Sequence, residues 1–272
     1  MSALTWDQSG ERDYHVGIHK VALYVADSAA ASGYATGVAW NGVTKITDSP
    51  SGAEATDLWA NDTKYGTLRS SEQFGGTIEA YMSPEEFDEC DGCREVAPGV
   101  LIRQQNRKAF GLVYVETLGN DTDGMDHGEI LHIVYNATAS PSSVDHSTVN
   151  ESPDVGTLSW EFSTTPVAVE GYKPTSHFEF RSNEMGTENW NKLLGMVFGS
   201  QSGDSTLPTP ATILSEFATV YTYTKLTSEP SDWSTAYYTK YYTKYDDTYT
   251  LIPRQDTAPE FDSDHFYSRS AS

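Results

Sequence analysis

The chain has 272 residues, with Lys and Arg totalling 17 against 39 Asp and Glu, for a formal net charge of -22. So acidic a balance repels polyanions and excludes a protein that grips nucleic acid through counterion release. Apolar residues make up 38% and aromatics 12%, with Tyr and Thr abundant, which suits pleated, half-buried surfaces and predicts one large, mainly β domain with appendages.

Residues 1–13 are polar and acidic, forming an N-terminal arm without the basic and apolar regions of a signal peptide. No stretch approaches ~18 uninterrupted apolar residues, so no membrane insertion is expected. Residues 14–26 carry a strand signal, Gly17 to Val25. Gly37-Val38-Ala39-Trp40 and Val43-Thr44-Lys45-Ile46 flank Asn41-Gly42 and predict a hairpin, because that dipeptide tolerates positive φ at both turn positions. Residues 48–64 turn rich in Ser, Gly, Ala and Asp and predict a long loop with one aromatic anchor, Trp59.

Residues 77–82 alternate, with Ile78, Ala80 and Met82 on one face and Thr77, Glu79 and Tyr81 on the other. A short helix is predicted at Pro84-Glu85-Glu86-Phe87, with Ser83 as N-cap and Gly92 ending it. Residues 108–117 and 129–135 read as a long hairpin around the turn-rich Gly119 to Gly124. In 156–169, Leu158, Trp160 and Phe162 alternate with Ser159, Glu161 and Ser163 up to Pro166. A further strand is expected at 177–180, and helices at 189–198 and 210–218. After residue 218 the composition changes: 8 of the 17 tyrosines fall between Tyr221 and Tyr249, and Tyr237-Tyr238-Thr239-Lys240 repeats at once as Tyr241-Tyr242-Thr243-Lys244. Residues 219–272 therefore read as an appended Tyr-rich extension, either a small strand-forming arm or a tail ordered on assembly.

The chain carries little that looks like chemistry. Cys90 and Cys93 are too few and too close for a disulfide framework and point to a reducing compartment. Their spacing is half a zinc site, but the second half is missing, with His127, His132 and His146 on different predicted elements. Asp121-Thr122-Asp123-Gly124-Met125-Asp126 lacks the ligand alternation of a calcium loop. Glu85, Glu86, Asp88 and Glu89 read as a solvated charged face and not as a glycosidase pair. No cofactor, metal or catalytic residue is expected, and no nucleophile stands out to support an enzyme. A second reading is an acidic carbohydrate-binding β-sandwich, with Tyr237 to Tyr245 exposed for stacking on sugars.

Several segments form an ordered set. They include Gly37 to Gly42, Ser49 to Ala55, Gly76 to Tyr81 followed by Pro84 to Phe87, Ala97 to Val100, Gln104 to Leu112, Asp126-His127-Gly128, His132 to Tyr135 and Thr164 to Ala168. In order and spacing this set resembles the major tail tube proteins of long-tailed, non-contractile bacteriophages, over residues 1–218. The resemblance implies a β-sandwich or barrel-like fold with a flanking short helix and a C-terminal helical part. It further implies six copies closing into rings that stack into a tube in the virion tail, after assembly in the host cytoplasm. The implied partners are the tape measure protein, the tail terminator, distal tail and tip proteins, and genome DNA in transit without sequence-specific binding. On this basis Thr77, Glu79, Ser159, Glu161 and Ser163 are expected to face the lumen, and Trp40 and Trp59 to make inter-subunit contacts.

Overall fold

The computed structural model describes residues 4–146, 148, 155–201, 203–217, 221–245, 248–253 and 255–271. Its compact units are Met1–Ile213 and Leu214–Ser272, so the structural border lies just before the change in composition at 218. The fold is mainly β, built from antiparallel pairs.

The first unit opens with β1 (Tyr14–Val25), β2 (Val38–Ala39), β3 (Val43–Asp48), β4 (Ser51–Gly52), β5 (Ala55–Ala60), β6 (Thr63–Arg69), β7 (Glu72–Gln73) and β8 (Gly75–Ala80). It continues with β9 (Arg94–Ala97), β10 (Val100–Ile102), β11 (Phe110–Asn120), β12 (Gly124–Ala139), β13 (Leu158–Thr164) and β14 (His177–Arg181). The main sheet runs β2-β1-β11-β12-β13-β8-β3, with β14 paired to β12. It curls until β3 returns near β1.

The curl depends on β12, which pairs with β14 through residues 130–134 and with β13 through 137–139. Between the two partners Asn136 takes a φ of 51°, and the β11–β12 register slips beside it. This local irregularity bends the strand as a bulge does. The curled inner face holds Leu23, Trp40, Ile78, Phe87, Phe110, Leu112, Trp160 and Phe162 as one buried cluster.

The opposite face of β11 and β12 is also buried. Helix α1 (Ser182–Met185) leads through Gly186 into α2 (Thr187–Phe198), which buries Trp190, Leu193 and Val197 at spacings of three and four. The Tyr24 hydroxyl donates to the Val197 carbonyl, and the Tyr135 hydroxyl to the Pro208 carbonyl at 2.6 Å, so both buried phenols are satisfied. Burial pushes both hydroxyls well above the usual tyrosine range. A further helix, α3, covers Pro210–Phe217.

Four sequence expectations need correcting. The Asn41-Gly42 turn exists, with Gly42 at a φ of +77°, but it does not close a hairpin: β2 pairs with β1, and β3 with β8. Trp40 is pulled between the layers, and the two strands diverge. The segment 48–64 is not a loop, because β5 and β6 form an exposed two-stranded arm with the short β4–β7 ladder beneath it. Asn61 and Asp62, at φ of 50° and 61°, turn its tip, the backbone of a type I′ hairpin. Met82 lies beyond β8 and is exposed. Finally, the turn at Glu85–Phe87 is 3₁₀ with Pro84 at its N-cap, and no side chain caps it.

The second unit is an independent aromatic core. Its sheet runs β15 (Tyr221–Lys225), β18 (Phe266–Ala271), β16 (Tyr241–Tyr245) and β17 (Thr248–Leu251), with helix α4 (Trp233–Lys240) feeding β16. Trp233 is buried against Tyr237, Tyr241, Phe261 and Phe266, and its indole N–H donates to the Pro259 carbonyl at 3.0 Å. The Tyr241 hydroxyl donates to Asp232 Oδ1 at 2.6 Å. Burial and that carboxylate push this phenol up to about 12. Tyr237, Tyr241 and Tyr242 are buried, which corrects the expectation of an exposed aromatic run for sugars. Tyr245 is exposed and stacks on His265.

Candidate functional site

The polar residues singled out in the sequence come together on one face. In the β13–β8 ladder Ser159 lies opposite Glu79 and Glu161 opposite Thr77, with Ser163 beside Gly75. Their neighbours Trp160, Phe162, Ile78 and Ala80 are buried on the other side, as period-two alternation requires. On β3, Thr47 continues the row beside Thr77, and Lys45 Nζ sits 3.7 Å from Glu79 Oε1. The result is a hydroxyl-rich, solvent-facing surface in which one lysine partly offsets two carboxylates.

The two tryptophans have opposite environments. Trp40 is 3% exposed, packed against Phe87 at 4.6 Å and Trp160 at 5.6 Å between ring centroids. Its indole N–H donates to the Met82 carbonyl at 2.8 Å. The expected contact role for Trp40 is therefore corrected: its surface is already used inside its own subunit. Trp59 is 68% exposed on the arm, where Leu58, Tyr65 and Leu68 are exposed as well. Lys64 Nζ pairs with Asp57 Oδ1 at 2.7 Å across the arm, a surface ion pair of small energetic weight.

The remaining motifs resolve into structural roles. Cys90 and Cys93 are buried free thiols in the turns after the 3₁₀ segment, and burial pushes the Cys90 thiol up to about 12. Among the described residues no three His, Cys, Asp or Glu side chains converge on a metal position. Asn120 Oδ1 accepts from the Thr122 and Asp123 amides at 3.0 and 2.6 Å, shaping the 119–124 turn from within. Asp121 accepts from the Gly10 amide at 3.0 Å, which ties down the N-terminal arm. Glu85, Glu86, Asp88 and Glu89 line an open cleft of about 890 Å³. There the Asp88 carboxyl is raised above the usual range, chiefly by burial, while Arg103 opposes the shift.

One cluster escaped the sequence reading altogether. His132 Nδ1 and His177 Nε2 lie 3.0 Å apart at one end of the inner face, reached from Tyr114 on one side and Phe74 on the other.

No helix among the described residues is long and apolar enough to cross a membrane. No family model matches the chain, and no characterised protein matches it in sequence.

Proposed function

We propose that the chain is the tube-forming subunit of a non-contractile phage tail, closing six to a ring and stacking into a tube through which genome DNA passes. The observation that carries the reading is the pairing of two surfaces on one subunit. A curled sheet offers a polar face through Thr77, Glu79, Ser159, Glu161 and Ser163, and an arm with exposed apolar residues along its strands projects from the same sheet. The arm's exposed aromatic and aliphatic groups suit a contact between copies, because buried aromatics dominate interface energies. The ordered motif set over residues 1–218 supplies the rest.

An acidic wall suits transit. With a net charge of -22 the tube repels phosphates, and salt confines that field to a Debye length of ~8 Å. DNA then slides without being held. The partners that follow are the tape measure protein within the tube, and terminator and distal tip proteins at its ends.

Negative-stain microscopy of the purified protein tests the reading: tubes or six-fold rings are expected, and a strictly monomeric species at high concentration would sink it. The lumen assignment has its own test. Replacing both Glu79 and Glu161 with Lys should leave tail length normal and slow DNA ejection, since cations on the wall would retain phosphates; unchanged ejection from such tails removes these residues from the lumen.

A further inference from the structure

The arm leaves the sheet between Asp48, the last residue of β3, and Phe74, just before β8. At this root the Ser49 amide donates to the Gly75 carbonyl at 2.8 Å. Both sides of the root are held by side chains from the opposite strands of the curled sheet. On one side the Tyr114 hydroxyl of β11 donates to Asp48 Oδ1 at 3.1 Å. On the other, the Phe74 ring stacks on His177 of β14, with centroids 4.5 Å apart and planes 18° apart.

The two holds are joined. His177 Nε2 meets His132 Nδ1 at 3.0 Å, and His132 stacks on Tyr114 at 4.6 Å. Asp48, Tyr114, His132, His177 and Phe74 thus form a continuous circuit across the base of the arm. Its two central members are the only side-chain type whose ordinary titration falls between pH 5 and 8.

The contact between the imidazoles has room for one proton. His132 Nε2 is buried without a hydrogen bond and lies 3.7 Å from Glu116 Oε2, which favours the tautomer with its proton on Nε2. His132 Nδ1 then accepts from His177 Nε2–H. A proton added to His177 Nδ1 leaves this bond in place. Only when both imidazoles are protonated do two N–H groups face each other, and the bond then breaks.

The surrounding charges pull both ways. Facing the pair are Asp48 from β3, Glu116 from β11 and Glu179 from β14, all of which favour imidazolium. Glu116 is partly engaged by His15 of β1 at 2.9 Å and Glu179 by Arg181 at 2.8 Å. Burial outweighs the carboxylates: both imidazoles are held below the usual histidine range, and His132 further lowers its partner. A histidine lowered in the closed form stabilises that form above its ordinary value of about 6.5 and loses the contribution as pH falls below it.

We propose that the His132–His177 pair is a proton-operated latch that fixes the root of the β5–β6 arm at neutral pH and releases it on acidification. The latch belongs to the folded subunit and does not depend on the tube reading.

Hydrogen–deuterium exchange of the full chain tests it, read over residues 47–76 between pH 7.5 and 5.5 after correction for intrinsic exchange. Root opening is expected to rise by up to roughly tenfold per pH unit for each proton taken up, while the β11–β12 ladder stays protected. In His177→Phe, which keeps a ring against Phe74 and removes the imidazole–imidazole bond that protons break, the root should stay equally protected at both pH values. Wild-type protection that does not change over this range overturns the proposal, as does an identical loss in folded His177→Phe. If that variant fails to fold, the wild-type imidazole Cε1 proton titrations decide instead. Midpoints below about 6.5 that coincide with root opening support the latch, and midpoints that do not coincide overturn it.

Discussion

Trp40→Ala should lower the stability of the first unit by about 3–5 kcal/mol, the range for deleting a large aromatic from a packed core. The indole is 3% exposed and its ring meets both Phe87 and Trp160. Those two rings also pack on each other at 5.3 Å, so the cavity would open inside a three-ring cluster joining β13 to the 3₁₀ turn. The lost hydrogen bond matters less, because Met82 is exposed and water can reach its carbonyl. For a unit of this size the loss corresponds to a fall in Tm of roughly 6–20 °C. Thermal unfolding followed by circular dichroism reads it. A shift under about 2 °C would mean that the site collapses onto the gap, and that Trp40 contributes little to the core.

The parts of the fold that were legible in the sequence are those buried on at least one face. β11 from Phe110 to Val115 and β12 from Ile130 to Tyr135 are nearly continuous buried runs, and β13 and residues 76–80 of β8 alternate because one side meets the core. The arm gave no such signal. Both its faces meet solvent, so nothing imposes a period of two on its residues, and the Asn61-Asp62 turn was the one local cue present.

Turn chemistry misled at Asn41-Gly42 because a favourable turn does not oblige its flanks to pair with each other. The second unit makes the same point about local sequence. Tyr237-Tyr238-Thr239-Lys240 ends helix α4, whereas the identical Tyr241-Tyr242-Thr243-Lys244 lies in β16. Packing around Trp233 and pairing with β17 and β18 decide the difference, not propensity.

The candidate surfaces were readable to the same degree. Alternation gathered Thr77, Glu79, Ser159, Glu161 and Ser163 correctly onto one face, because period-two patterning maps directly to side. It could not separate Trp40 from Trp59, since both follow or occupy short polar-flanked segments and only tertiary packing buries one of them. Nor could it find the latch. His132 and His177 are 45 positions apart, and only the β12–β14 pairing brings their rings together.

Trp59→Ala is the counterpart experiment, with the opposite expected signature. The side chain is 68% exposed and sits on an arm that contributes nothing to the buried cluster, so monomer stability should stay within ~0.5 kcal/mol of wild type. Assembly should fail. An isolated two-stranded hairpin is marginal in water, and this one exposes Leu58, Trp59, Tyr65 and Leu68 together, a surface that gains by being covered by another copy. Truncating a central aromatic at such a contact costs at least ~2 kcal/mol, or roughly 30-fold in affinity for each contact. In a closed ring the same loss recurs at every equivalent position, so a modest defect per subunit becomes a large rise in the concentration needed for tubes. Sedimentation and negative-stain microscopy at matched concentrations read the effect, with thermal unfolding as the control. Normal tubes from the variant would remove Trp59 from the interface, and a matching fall in Tm would return it to the subunit's own core.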